Sequence, residues 1–170
     1  ATPGFDHLTA LPGNRSLGID PRDGAVYWHN MDETISLYDY ATDTIAVLSR
    51  PTLGIPVLKT ARSGFDGVLW RSIRWSCSMN RFYAVDSGCE YLFSYEPKSG
   101  EIEIMDRIAA GPQRRSGALS GASLAFEFDE AGKVVYYIAS ARSVAPGGGT
   151  RRELRLVTYD IVSRRYIDHG

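Results

Sequence analysis

Two identical Arg-Ser-Gly triplets occupy matching positions in this chain, Arg62-Ser63-Gly64 and Arg115-Ser116-Gly117. Each arginine lies 13 residues before an aromatic residue, Trp75 in the first case and Phe128 in the second. A guanidinium can bind a carboxylate or a sulfate through two parallel hydrogen bonds, so this pattern suits capture of an anionic group. The alternative is a repeated loop in which each arginine caps backbone carbonyls and each glycine makes the turn.

Further arginines are concentrated in one long glycine-rich segment. Tyr136 and Tyr159 are separated by 23 residues, against 11 and 12 in the two corresponding stretches. The extra residues include Arg142, Gly147-Gly148-Gly149 and Arg151-Arg152. Long loops in compact domains often carry function, so the segment is either a mobile basic flap over a ligand or a tolerated surface insertion.

A third group of candidates lies in the alternating segment 69–75. If this segment is a strand, Arg71, Ile73 and Trp75 share one face and Trp70 lies on the other. Trp70 could stack on a sugar ring, and Arg71 could line a ligand site. The alternative for Trp70 is packing between structural units.

His29 is the candidate acid or base, because the pKa of an imidazole lies near neutrality. The alternative is a structural histidine at the end of a strand. No histidine or cysteine spacing resembles a metal site, and we expect no metal and no cofactor. The acidic residues near turn signals are expected to form turns rather than bind calcium. They are Asp20, Asp23, Asp32 and Asp129.

The elements that position these residues come from an internal repeat, which indicates a repeat architecture. One eight-residue pattern occurs at 38–45, 95–102 and 159–166. A second set of anchors is Tyr27, Tyr83 and Tyr136, each eight residues after Ile19, Trp75 or Phe128. The anchors are separated by 56 and then 53 residues.

Each repeat predicts four short strands, A to D, because β-branched and aromatic runs alternate with turn signals. The predicted strands are A at 16–20, 68–76 and 121–128, B at 25–29, 81–86 and 133–139, C at 34–39, 91–96 and 153–160, and D at 44–48, 101–106 and 165–168. The repeats therefore span about 16–48, 68–106 and 121–168. No segment shows a sustained helical period.

Four-stranded antiparallel units at this spacing are typical of β-propeller blades, and we predict an all-β segment of three blades. The alternative is an ordinary antiparallel sandwich. In a blade the B–C loops and the D–A connections share one face. Propellers as a class bind ligands on that face, and the candidate arginines fall there.

Three blades are fewer than the 4–8 of a closed ring. We therefore expect a partner: either a second copy of the chain, giving a six-bladed ring, or the remaining blades of a longer propeller. The chain has 170 residues and a formal net charge of -1, which argues against a generally basic nucleic-acid binder. No apolar run approaches a membrane span, and the compartment stays open, with a soluble, secreted or periplasmic location among the alternatives.

The two cysteines, Cys77 and Cys89, are predicted to be free thiols. Strand B separates them, which places them more than about 15 Å apart at ~3.3 Å per residue, beyond disulfide reach.

The stretches 91–102 and 156–161 resemble bacterial β-propeller repeats of the kelch, quinoprotein or YVTN type. Propellers of that superfamily include polysaccharide lyases, lactonases and binding scaffolds. The resemblance implies three hypotheses: a binding or scaffold module for anionic or sugar-like ligands, a lyase acting on uronate polymers, or an assembly piece without a site. No catalytic position of the lyases could be matched to this sequence.

Overall fold

The computed structural model describes residues 17–30, 34–48, 70–86, 91–110, 125–144 and 147–170. Twelve strands form over these residues: β1 Gly18–Ile19, β2 Val26–His29, β3 Ile35–Asp39, β4 Thr44–Leu48, β5 Trp70–Ser76, β6 Arg81–Asp86, β7 Tyr91–Glu96, β8 Glu101–Arg107, β9 Phe126–Asp129, β10 Val134–Val144, β11 Thr150–Asp160 and β12 Arg165–Asp168.

The strands form three separate four-stranded antiparallel sheets, which confirms the predicted fold class. Unit 1 contains β1 to β4, unit 2 contains β5 to β8 and unit 3 contains β9 to β12, each paired in chain order. None of the described segments is helical. The sheets pack face to face through two apolar clusters, one between units 1 and 2 and one between units 2 and 3. The result is an open row of three blades.

Residues with positive φ close the hairpins at equivalent points. In the first turn of each unit these residues are Gly24, Asn80 and Lys133, with φ of 75°, 52° and 56°. Glycine and asparagine tolerate this conformation. In unit 3 the glycine of the turn is Gly132, but the next residue, Lys133, takes the positive φ.

Carboxylates at the start of the second turn in each unit hold the chain reversal. Asp39 accepts a hydrogen bond from the backbone N–H of Ala41 at 2.9 Å, and Asp160 accepts two from the following turn at 2.8 and 2.9 Å. Asp20 and Asp129 play the same part in the first turns. Asp20, Asp23 and Asp129 therefore form turns as predicted, while Asp32 lies outside the described residues.

Unit 1 packs on unit 2 through its forward face, the face turned toward the next unit in the chain. Tyr27 lies on this face, with its ring centroid 5.7 Å from that of Phe82 and 6.2 Å from that of Tyr95. Gly18 is needed beside them, because a Cβ there would lie 2.7 Å from the Phe82 ring. Phe82 and Tyr95 lie on the backward face of unit 2, the face turned toward the preceding unit.

The same arrangement recurs between units 2 and 3. Tyr83 lies on the forward face of unit 2 and stacks on Phe128 with centroids 5.1 Å apart and planes 3° from parallel. On the backward face of unit 3, the Tyr159 hydroxyl donates to the carbonyl of Met105 in unit 2 at 3.4 Å. Burial raises the pKa of Tyr83 to about 12, because a phenolate would lose its hydration there.

Hydrogen bonds and ion pairs join neighbouring units at the first turns. Glu130 of unit 3 accepts hydrogen bonds from the Cys77 N–H at 2.6 Å and from the Ser78 hydroxyl at 2.7 Å. Between units 1 and 2, Arg22 pairs with the buried carboxylate of Asp20 in its own unit at 2.5 Å and lies 3.8 Å from the Glu96 carboxylate of unit 2. Burial opposes ionisation of Asp20, but the hydrogen bonds from Arg22 outweigh it and lower the pKa of the carboxyl.

Cys77 is an exposed free thiol in the first turn of unit 2. Cys89 lies outside the described residues, so the prediction that it is also free stays a prediction.

Candidate ligand-binding face

The connections β2–β3, β6–β7 and β10–β11 lie at the same end of the three sheets as the ends of β4 and β8. This follows from the antiparallel order, in which every second connection returns to the same side. We call this side the loop face, and the side with the hairpin turns the turn face. Described residues of the loop face include His29, Asn30, Tyr91 and Arg107, together with the tip of unit 3.

The predicted long loop of unit 3 is a β-ribbon, so the predicted strand ends at 139 and 153 are wrong. The two strands stay in register from Val134–Asp160 to Val144–Thr150. Only Val134–Tyr137 of β10 pairs with β9, and only Val157–Asp160 of β11 pairs with β12. The ribbon therefore projects from the blade as two strands for roughly 20 Å at ~3.3 Å per residue. Cross-strand backbone pairing, which composition does not reveal, keeps the insertion extended.

One face of the ribbon is anchored to unit 2. Ala139 and Ala141 are buried in the same apolar cluster as Ile108 and Ala110, which follow β8. Small side chains at two successive positions on this face allow the ribbon to lie close to the neighbouring segment. The ribbon is thus packed along its base rather than being a detached flap.

Ion pairs along β11 lie on the same face of the ribbon as Ala139 and Ala141. Arg155, the register partner of Ala139, forms ion pairs with Glu153 at 3.1 Å and with Asp168 at 3.2 Å. Arg151 lies further along and is exposed. The base of the ribbon is therefore charge-paired, and its positive charge is concentrated toward the tip.

The other face of the ribbon holds two arginines in direct register. Arg142 pairs with Arg152, two residues beyond the pair of Ser140 and Leu154. Leu154 is 62% exposed and Leu156 is 40% exposed on this face. Directly opposed like charges destabilise an antiparallel pair.

In unit 2, the loop face holds a stacked arginine that the sequence did not single out. The Arg107 guanidinium lies 5.6 Å from the ring centroid of Tyr91, a cation–π contact between the end of β8 and the start of β7. Asp106 accepts a hydrogen bond from the Arg107 backbone N–H at 2.7 Å. A register shift near these strand ends brings the two residues together, and no sequence spacing marks it.

In unit 1, side chains at the loop face form a hydrogen-bond network. Asn30 Nδ2 donates to Thr34 Oγ1 at 2.8 Å and to Ser36 Oγ at 2.7 Å. His29 is the register partner of Ile35 and is 1% exposed. It therefore lies on the forward face of unit 1, alongside Tyr27, rather than open to solvent.

The other predicted site residues fall at the margins of the described chain. Trp70 pairs with Asp86 and Ser72 pairs with Val85, which leaves Arg71 at a β-bulge. The side chains of Trp70 and Arg71 lie outside the described part of the structure, so the faces predicted for them stay predictions. Arg62 and Arg115 lie outside the described residues.

Over the described ranges, no three His, Cys, Asp or Glu side chains lie close enough together to hold a metal ion. Within those ranges there is also no helix of the length and apolar character that crossing a membrane requires.

No family model matches the chain, and no curated protein sequence matches it. Solved structures match its fold. A chain of the nidogen/laminin complex is 12% identical over 91% of this chain and 46% of that chain, with a TM-score of 0.57. The tricorn protease is 11% identical over 93% of this chain and 13% of that chain, also at 0.57. An auxiliary nutrient binding protein from Bacteroides thetaiotaomicron is 15% identical over 89% of this chain and 35% of that chain, at 0.51.

These similarities show a β-propeller-like fold and nothing finer. The chain spans less than half of each of these three structures.

Proposed function

We propose that this chain is a ligand-binding propeller module whose loop face binds an anionic, sugar-like ligand. The observation that supports this most directly is the register pairing of Arg142 with Arg152 on a ribbon that projects from that face. Two arginines at opposed positions suit a carboxylate or a sulfate, which a guanidinium binds through two hydrogen bonds.

Two further features support a site on the loop face. Tyr91 and Arg107 already form an aromatic-cation pair there, the combination that uronate sugars need for stacking and charge pairing. Arg71 lies at the bulge that begins β5, on the same face. Arg62, Arg115 and Trp70 are sequence-based members of the proposed site. The matched structures include proteins described as nutrient-binding, which fits a binding role.

A lyase acting on uronate polymers was the alternative, with His29 or a tyrosine as its base. A catalytic base has to reach the proton that it removes, and His29 is 1% exposed on a face packed against unit 2. We therefore favour binding over a lyase that uses His29. The third alternative, an assembly piece without a site, predicts no ligand at all.

Calorimetric titration with galacturonate oligomers tests the proposal, with neutral glucose oligomers of equal length as the control ligand. We expect the charged oligomers to bind, and the double variant Arg142→Ser/Arg152→Ser to lose at least about tenfold in affinity, the loss typical of a charged hydrogen bond. Arg165→Ser is the matched control, because Arg165 is an exposed arginine at the turn face.

Stability provides a second readout. Because opposed like charges destabilise a strand pair, Arg142→Ser alone should raise the free energy of unfolding by about 0.2–1 kcal/mol while lowering affinity. Equal affinity of wild type and the double variant would contradict the proposed site. Formation of unsaturated sugar product, followed by ultraviolet absorbance, would favour the lyase instead.

A further inference from the structure

The ribbon face that carries the two arginines changes from basic to apolar along its length. The arginine pair lies nearest the tip, and the next two register pairs on this face are Ser140–Leu154 and Ile138–Leu156. Successive pairs on one face are two residues, or about 7 Å, apart. We call these positions the ribbon strip: Ile138, Ser140, Arg142, Arg152, Leu154 and Leu156.

The leucines of the ribbon strip are open to solvent. Leu154 is 62% exposed, and Leu156 is 40% exposed. Leu154 lies beyond the four-stranded part of unit 3, because the register of β11 with β12 ends at Val157–Asp168. An apolar group placed on Leu154 would remove its surface from water, which is favourable. The strip therefore offers apolar surface beside a pair of cationic residues.

The opposite face of the ribbon holds the strip in place. Ala139 and Ala141 are buried there in the cluster that includes Ile108 and Ala110. Because that face is packed against the segment after β8, the face with the strip is the one left for a ligand. A surface that is already ordered loses little conformational freedom on binding.

We propose that the ribbon strip binds an acidic sugar joined to an apolar group. The carboxylate or sulfate lies at Arg142 and Arg152, and the apolar group covers Leu154 and Leu156. In such a glycoside the anionic group and the apolar group leave the sugar ring at different carbons, so both can lie along one strip. Because the same two arginines hold the anion, this ligand assignment rests on the proposed function and adds the apolar half of the ligand.

The size of the strip favours a small ligand over a protein partner. The ribbon beyond the blade is about 20 Å long and two strands, or about 10 Å, wide, so this face covers on the order of 200 Å², against roughly 800 Å² for one side of a standard protein interface. A single glycoside with an alkyl or aryl group matches a surface of that length and width.

Calorimetric titration tests the assignment with three glycosides, each below its micelle concentration: methyl glucuronide, octyl glucuronide and neutral octyl glucoside. We expect octyl glucuronide to bind at least about tenfold more tightly than methyl glucuronide, because covering a leucine side chain contributes that much. Octyl glucoside should bind more weakly than octyl glucuronide, because it lacks the carboxylate that a guanidinium binds.

Variants at Leu154 locate the apolar group. Leu154→Ser should lower the affinity for octyl glucuronide to that for methyl glucuronide, and Leu154→Met, which keeps an apolar side chain, should restore the difference. Val162→Ser is the matched control, because Val162 is 74% exposed and lies in the turn between β11 and β12, away from the ribbon. Circular dichroism of each variant shows whether it is folded.

Different results overturn the assignment and the proposed function. Equal affinity of wild type for methyl and octyl glucuronide would mean that the strip takes no apolar group, while the proposed function would stand. Octyl glucoside binding as tightly as octyl glucuronide, or equal losses in Leu154→Ser and Val162→Ser, would also overturn the assignment. Failure of every uronide to bind, galacturonate oligomers included, would contradict the proposed function itself.

Discussion

The forward faces of units 2 and 3 carry equivalent residues in different surroundings. Tyr83 is enclosed by Phe128 and the rest of unit 3 and is 1% exposed, whereas Tyr136 is 40% exposed. The strand pairing, the position and the residue type are the same. The difference shows that burial in this fold depends on the neighbouring blade and not on the blade itself. A blade therefore cannot complete its own core, which is the general logic of repeat proteins.

The largest expected effect comes from truncating the covered tyrosine. Tyr83→Ala should lower the free energy of unfolding by about 3–5 kcal/mol, the usual cost of removing a large buried aromatic side chain. Tyr136→Ala should cost less than about 1 kcal/mol, because that side chain is already partly in water. Urea unfolding of the two variants measures the contrast. Equal losses would mean that the two faces are covered alike.

The stability of the fold at high pH tests the burial of these tyrosines in a second way. Burial raises the pKa of both Tyr83 and Tyr27 to about 12, against 10 for an ordinary tyrosine. Because the folded-state pKa lies above the unfolded one, the stabilisation is complete below pH 10 and is lost as the pH rises toward 12. Urea midpoints of wild type should fall steeply over that window.

Tyr83→Phe and Tyr27→Phe should each flatten that fall, and the double variant should flatten it further. Identical pH profiles for wild type and both phenylalanine variants would show that the phenols at the interfaces are not protected from ionisation.

Two kinds of polar contact join units 2 and 3, and removing each should lower the free energy of unfolding by a smaller amount. Glu130 accepts hydrogen bonds from two residues of unit 2, and we expect Glu130→Ala to cost about 1–2 kcal/mol after allowance for its partial exposure. Glu127 pairs with Arg74 at 2.9 Å in an exposed bridge, so Glu127→Ala should cost about 0–1 kcal/mol.

The matched pair is measured by urea unfolding at low and at high salt. Salt should reduce the Glu127 effect more than the Glu130 effect, because backbone donors are not screened as a surface ion pair is. A Glu130 effect that salt reduces more than the Glu127 effect would contradict this account of the two contacts.

The fold could be predicted because its signals are local and repeated. The tyrosine anchors and the turn residues Gly24 and Asn80 each act through strand alternation or turn geometry, which sequence spacing carries directly. The ribbon of unit 3 was missed because Gly147-Gly148-Gly149 and the arginines look like a loop, while its order comes from cross-strand pairing and from Ala139 and Ala141 packing on unit 2.

The candidate site was harder to predict from the sequence because it also depends on how the strands pair. The stack of Arg107 on Tyr91 and the bulge at Arg71 both arise from register shifts within unit 2, and a register shift leaves no mark in composition or period. His29 shows the opposite failure. Its residue type suggested chemistry, but strand pairing with Ile35 places it in a packed face.

The central claim is that the neighbouring blade decides which of the equivalent tyrosines is buried. Its most direct test is chemical nitration of tyrosines, quantified peptide by peptide in a mass spectrometer. Tyr40, 78% exposed in a turn, is the internal reference, and Tyr83 is the buried one. The account predicts that Tyr136 and Tyr40 react, while the equivalent but covered Tyr83 does not. Reaction of Tyr83 at the rate of Tyr136 would contradict it.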